Sequence, residues 1–283
     1  MPLDAQQLTA RRLVNWGQSA QTRVPDPAAA TVLIERLGIA TLYSVSPELP
    51  DLLHAYTGDP ATKSDSSWGS PSGHVYTWRW ELGRREAAFY TAIVRGRPTL
   101  VSWTLLPAVL RLRGDARSPD QIYRSGELSE GAMRVAHALQ AEGGVLGTGE
   151  LRKAAGFPTG KDQRAAFLRA VAELDARLLL AKVFSAEDQD MRHALTTARY
   201  PEATEAARTL GATEAMDALL AVYLPHAVYA LPGSLAKHLG LDPALVRGGL
   251  ERLTADGRAE AATVPGLGEC FIYLEGNVPS GVV

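Results

Sequence analysis

The chain has 283 residues, of which 46% are hydrophobic and 21% charged, enough apolar surface for real cores and too much for wholesale disorder. Its net charge of −2 excludes a histone-like, uniformly cationic protein, so any binding of a polyanion must use a local patch. A single cysteine, Cys270, excludes an intramolecular disulfide, and no apolar run approaches the 18 residues of a membrane span, so a soluble cytoplasmic protein is expected.

Residues 1–56 read as a helical unit. Leu8–Gln18 carries Leu13 and Trp16 on one side. Asp26-Pro27 supplies an N-cap followed by a first-turn proline, and Val32, Leu33 and Leu37 form the expected buried stripe before Gly38 stops the helix. Ile39–Val45 reads as a strand, and Ser46-Pro47 opens a short helix ending near Tyr56. Thr57–His74, rich in Gly, Pro and Ser, is a loop with Trp68 inside it.

Between Arg79 and Arg113 stand seven arginines (79, 84, 85, 95, 97, 111 and 113) against Glu81 and Glu86, a local surplus in a chain that is acidic elsewhere. Ala88–Val94 and Thr99–Trp103 read as a hairpin turning at Arg95-Gly96-Arg97-Pro98, which holds two arginines out to solvent. Such a tip suits phosphate or minor-groove contact. The alternative is a set of surface arginines neutralised by acidic groups elsewhere. Trp78, Trp80 and Trp103 could stack on an unpaired base, but aromatic residues so spaced more often belong to a core.

In the middle of the chain Ser129 caps a helix with Met133, Ala136 and Leu139 inward, stopped by Gly143-Gly144. Thr148 starts Glu150–Ala155, and a longer helix runs over Asp162–Ala176 with Phe167, Val171 and Leu174 buried. Leu178–Phe184 and His193–Arg199 are strands about the acidic turn Ser185–Asp190. At the start of the longer helix Lys161, Gln163 and Arg164 stand where a helix-turn-helix meets base edges, with Arg169 further along. They could equally be the solvated face of an amphipathic helix.

The same order returns a third time. Thr213 caps a helix through Ala230, Ser234–Leu239 ends at Gly240, and Asp242-Pro243 opens a helix whose Val246, Leu250 and Leu253 share one face. Asp256-Gly257 closes it, and Ala259–Val264 and Cys270–Leu274 follow with Pro265-Gly266 between. Helix, turn, helix and hairpin is the order of a winged helix-turn-helix. In this third copy Arg247 and Arg252 are offset by Asp242 and Glu251, which fits packing better than phosphate binding. The expected fold is mainly α with short β-hairpins (α+β), in tandem winged helix-turn-helix units over 1–116, 117–202 and 203–283.

No metal or cofactor is expected. The six histidines are scattered, Gly156–Asp162 lacks the spacing and the Ser or Thr of a phosphate-binding loop, and Gly147-Thr-Gly149 follows no predicted strand.

Trp78-Arg79-Trp80, Arg84-Arg85, AFYTAIVRGRPTLVSW, LLPAVLRLRG and QIYRSGELSEGAMRVAHAL occur in an order that resembles the AlkZ/YcaQ-related family. The resemblance covers most of residues 1–275 and implies a tandem winged-helix scaffold of the DNA-glycosylase kind. It also implies a Gln-x-Asp or Gln-x-Gln just after an N-terminal helix ending in Leu-Gly. There the Gln places a water and the acid supports positive charge on the sugar. Here Leu37-Gly38-Ile39-Ala40-Thr41-Leu42 puts Ala40 and Leu42 in those two positions, and neither side chain can do that work. The expectation is a protein that binds duplex DNA through its phosphates, using Arg84, Arg85, Arg95, Arg97, Lys161, Gln163, Arg164 and Arg169, with no catalytic residue. The alternatives are a glycosylase with relocated catalytic groups and a protein-interaction or ligand-sensing module.

Overall fold

The computed structural model describes residues 4–141, 144–186 and 190–275. It is mainly helical, with three small antiparallel sheets, as the sequence predicts. Helix α1 (Ala5–Asn15) leads into a first repeat of α2 (Pro27–Leu37), β1 (Ile39–Thr41), α3 (Leu52–Thr57), α4 (Pro71–Arg84), β2 (Phe89–Val94) and β3 (Arg97–Val101). Helices α5 (Leu106–Arg113) and α6 (Pro119–Arg124) connect it to a second repeat: α7 (Glu130–Ala141), β4 (Leu146–Gly147), α8 (Thr148–Ala154), α9 (Lys161–Ala176), β5 (Leu180–Phe184) and β6 (Met191–Leu195). After α10 (Thr196–Arg199) and α11 (Pro201–Thr209) comes the third: α12 (Ala212–Ala227), β7 (Tyr229–Ala230), α13 (Pro232–Leu239), α14 (Pro243–Ala255), β8 (Ala259–Val264) and β9 (Gly268–Tyr273). In each repeat the last strand lies between the other two, so the three sheets are ordered β1-β3-β2, β4-β6-β5 and β7-β9-β8.

Capping residues set most of the helix starts. Asp26, Asp51, Ser70, Ser118 and Asp242 each accept a hydrogen bond from an amide of the helix that follows. Several boundaries differ from the sequence prediction for this reason. The short helix begins at Leu52 behind Asp51, not at Ser46, and β1 ends at Thr41. The predicted loop stops at Ser70, whose hydroxyl caps α4, a helix hidden in the sequence by its β-prone aromatic residues. Val32 is 69% exposed, and Ile34 completes the buried stripe with Ala30, Leu33 and Leu37. The first long helix of the third repeat starts at Ala212, with Glu214 accepting from the Gly211 amide, and Thr213 lies inside it. Residues 196–199 form a helical turn where a strand is predicted. Gly143 of the predicted Gly143-Gly144 stop and residues 187–189 of the acidic turn lie outside the described residues.

The first and third repeats share one apolar core, from Trp16 through α2, α4 and α5 to α12, α13 and α14. The second has its own, built on Phe167, Leu174, Val135 and Leu139. The second repeat joins the first through Leu178, Ala181 and Phe184, which enter the shared core, with Phe184 at the end of β5 reaching furthest into α4. Its ring lies edge-on to Trp80 and Tyr90, with centroids 5.5 and 5.4 Å away. It fills the space beside Gly83 of α4, where a Cβ atom would stand 2.2 Å from the ring. Nearby Arg84 Nε donates to the Ser185 carbonyl at 2.9 Å. At the other end, buried Arg12 of α1 ties to the third repeat by donating to the Ala227 carbonyl at 2.7 Å, and pairs with buried Glu48 at 3.6 Å. Among the described residues no helix is long and apolar enough to cross a membrane.

Phe184→Ala removes the wedge while Gly83 leaves nothing to refill the space. Urea unfolding should show a loss of about 3 kcal/mol, the low end for a buried Phe because the side chain sits at a joint. A loss below about 1 kcal/mol would mean that the joint is held elsewhere.

Candidate nucleic-acid interface

The β2–β3 hairpin is tighter than its sequence predicts. Val94 pairs with Arg97, so only Arg95 and Gly96 turn, with φ of 52° and 70°. Two consecutive left-handed residues make the type I′ geometry that matches strand twist. Arg97 therefore begins β3 and is not part of the turn. The tip is exposed, and neither arginine side chain has a hydrogen-bond or ion-pair partner among the described residues.

The tip overhangs a cleft of about 540 Å³ where all three repeats meet. Ile93 and Arg95 form one wall, Asp175 near the end of α9 another, and Lys237, His238 and Arg113 a third. Arg113 donates to the Gly240 carbonyl at 2.7 Å, its Nε is buried without a partner, and burial lowers its pKa. Burial first, then the charges of Arg95 and Lys237, push the His238 pKa below the usual range. Arg95 and Lys237 thus stand close enough to His238 to disfavour a third positive charge at this edge of the cleft.

Helix α9 extends this surface. Its C-terminal half walls the cleft, and its first turn lies roughly 20 Å away along the axis. Lys161, Gln163, Arg164 and Arg169 are all exposed, and their side chains have no hydrogen-bond or ion-pair partner among the described residues. The remaining predicted residues are engaged. Arg84 braces the joint at Ser185, and Arg85 pairs with Glu81 one helical turn away at 2.7 Å. Arg79 stacks on Tyr76, with its guanidinium carbon 3.7 Å from the ring centroid. Trp78 is buried and Trp80 and Trp103 pack against the core, so the core reading holds for those three. Trp68 is 73% exposed.

Ala40 and Leu42 are fully buried. Ala40 pairs with Leu100 across β1 and β3, and the Leu42 amide donates to the Pro98 carbonyl at 3.0 Å. These two positions belong to the core of the first repeat.

Sequence reasoning missed Lys237 and His238, which lie on α13 without a charge run to mark them. It also missed a buried chain beneath the cleft. Lys182 donates to Asp175 Oδ2 at 2.7 Å and to His193 Nδ1 at 3.2 Å, which leaves the His193 Nε2 hydrogen facing Thr148 Oγ1 at 3.2 Å. Burial, reinforced by the Lys182 charge, pushes the His193 pKa down to about 3. Only strand pairing of β5 with β6 sets Lys182 opposite His193. Among the described residues no group of three or more His, Cys, Asp or Glu could hold a metal ion.

A family model described as AlkZ related matches residues 24–219 of the chain. No curated protein and no solved structure matches it.

His193 should remain neutral through the physiological range. Its folded pKa lies below the unfolded value of 6.5, so its contribution to stability is complete above pH 6.5 and declines as pH falls towards 3. Ring resonances followed by NMR should show no titration between pH 8 and about 5. A midpoint near 6.5 would show the ring to be solvated.

Proposed function

Because the chain belongs to the AlkZ-related family, whose name carries a DNA-glycosylase-like scaffold, we propose that it is a DNA-binding protein of three winged helix-turn-helix units. The units span 1–116, 117–202 and 203–283. The observation that carries this reading is the set of exposed, unpaired side chains on two neighbouring elements: Arg95 and Arg97 at the hairpin tip, and Lys161, Gln163, Arg164 and Arg169 on α9. A guanidinium held in a protein ion pair must lose that partner before it can take a phosphate; these need not. Duplex DNA lies across the cleft edge, with the hairpin on the backbone or in the minor groove and the start of α9 towards the major groove. Arg84 and Arg85 flank this surface and contribute long-range charge. The protein acts in the cytoplasm, on the nucleoid.

The same proposal holds the protein to be non-catalytic at the family's usual position. A buried alanine and leucine offer neither an oriented water nor a charge to stabilise an oxocarbenium-like sugar. One observation favours a second reading, a glycosylase with relocated groups. Gln18, Asp51 and His54 line a separate cavity of about 400 Å³. Asp51, however, already accepts from the His54 amide at 2.9 Å, from His54 Nδ1 at 2.8 Å and from Gln18 Nε2 at 3.3 Å, which is the saturated pattern of a structural cap. Base release from alkylated duplex DNA that disappears in Asp51→Asn would establish the second reading. No release at high protein excess would remove it.

For the first reading, with about five phosphates contacted, log affinity should fall with log salt at a slope near −4 to −5. Arg95→Glu with Arg97→Glu should make that slope shallower by about 2 and weaken binding alike on unrelated sequences. A wild-type slope near zero would overturn the proposal.

A further inference from the structure

Beside the hairpin, and sharing Arg95 with the three-way cleft, lie two cavities of about 230 and 670 Å³ that have Tyr43 and Asp65 as common walls. The smaller is closed by Trp68 and Tyr76, and the larger by Arg95 and Arg97. We infer that this groove binds one unpaired nucleotide of a DNA strand, with the base against Trp68 and Tyr43 and its phosphates on Arg95 and Arg97. The inference rests on the DNA-binding reading above and names a further subsite of it.

Three features carry it. First, Trp68 is a large aromatic ring with 73% of its surface in solvent, held in place at its edge by Tyr76 at 5.5 Å and 87°. Tyr76 is in turn fixed by the Arg79 guanidinium stacked on it, which also donates to the Tyr76 hydroxyl. A braced ring with an open face is a stacking platform already ordered before binding. Secondly, the smaller cavity is below the few hundred Å³ of an ordinary small-molecule site, which suits one base and not a base pair. Tyr43 is anchored beside it by its hydroxyl, which donates to the Ser72 carbonyl at 3.1 Å.

The third feature is polarity. Asp65 is capped by the Ser67 amide at 2.7 Å, and hydrogen bonds from Ser70 and Ser67 keep its pKa low. It is the one charged group of a pocket lined otherwise by three aromatic rings, Ser66, Ser67, Ser72 and Gly73, and it remains an acceptor there. An acceptor there favours a base edge that presents N–H donors, such as the adjacent imino and amino hydrogens of guanine. The arginines line the adjoining cavity, across Tyr43 and Asp65 from the aromatic one, and their side chains have no protein partner among the described residues. Acceptor, stacking surface and cations thus match the base edge, base face and phosphate of a nucleotide.

The test is equilibrium binding at one salt concentration of a perfect duplex and the same duplex carrying a single bulged guanine, to wild type and to Trp68→Ala. Trp68 is exposed, so its removal leaves the core intact. The wild type should prefer the bulged duplex by about tenfold, the scale of one base stacked on an aromatic ring. Trp68→Ala should bind both duplexes with the wild-type affinity for the perfect one, and Trp68→Phe should keep most of the preference. Absence of a preference in the wild type, or its survival in Trp68→Ala, would overturn the groove and leave the duplex reading standing. Failure of the wild type to bind either duplex would overturn both.

Discussion

The missing side chain of Gly83 is the constraint on which the arrangement of this molecule depends. Helix α4 presents a gap there, and Phe184 from the hairpin of the second repeat occupies it, edge-on to Trp80 and Tyr90. The first and third repeats share a continuous core and need no such device. The second has a core of its own and is placed by this wedge, by Leu178 and Ala181 beside it in the shared core, and by the Arg84–Ser185 contact. Through β5 the wedge also sets α9, because the two elements pack in one repeat. The position of α9 relative to the arginine hairpin is held by this wedge together with the direct packing of α9 on β2.

That placement resolves an apparent conflict in the charge balance. A chain of net charge −2 is a poor polyanion binder if its cations are evenly neutralised. They are not. Arg117 is shared between Asp115 and Glu127, Arg252 is paired with Asp217, and Arg247 with Glu269. The arginines of the hairpin tip and the cations opening α9 are left without partners among the described residues. Positive charge is thus left unneutralised at this surface in a chain that has no excess of Lys and Arg.

Much of the fold was legible in the sequence where local chemistry and periodicity agreed. Asp242-Pro243, the Val246, Leu250, Leu253 stripe and Gly240 defined the third repeat to within a few residues. The predictions failed where a tertiary contact overrode a local signal. Helix α4 is written in Trp, Tyr, Thr and Gly, residues that favour strands or turns, and is stabilised by the core it enters. Val32 and Ile34 compete for one stripe, and only the partners of α2 decide between them. The engagement of Arg84 and Arg85 was invisible because a run of arginines does not reveal which carbonyl or carboxylate lies opposite. Lys237, His238 and the Lys182–His193 chain come together only through strand pairing and inter-repeat packing.

Ala40 and Leu42 serve the packing of the first repeat. Both side chains support β1 and its partner strand, so the first repeat uses that segment as core while its hairpin and loop face outward. The central claim is then positional: duplex DNA meets the hairpin tip and the first turn of α9 together. Hydrogen–deuterium exchange with and without a short duplex tests it most directly. The account predicts slowed exchange at residues 94–98 and 160–165 in the same complex. Protection confined to α2 and α11, with both of those segments unchanged, would contradict it.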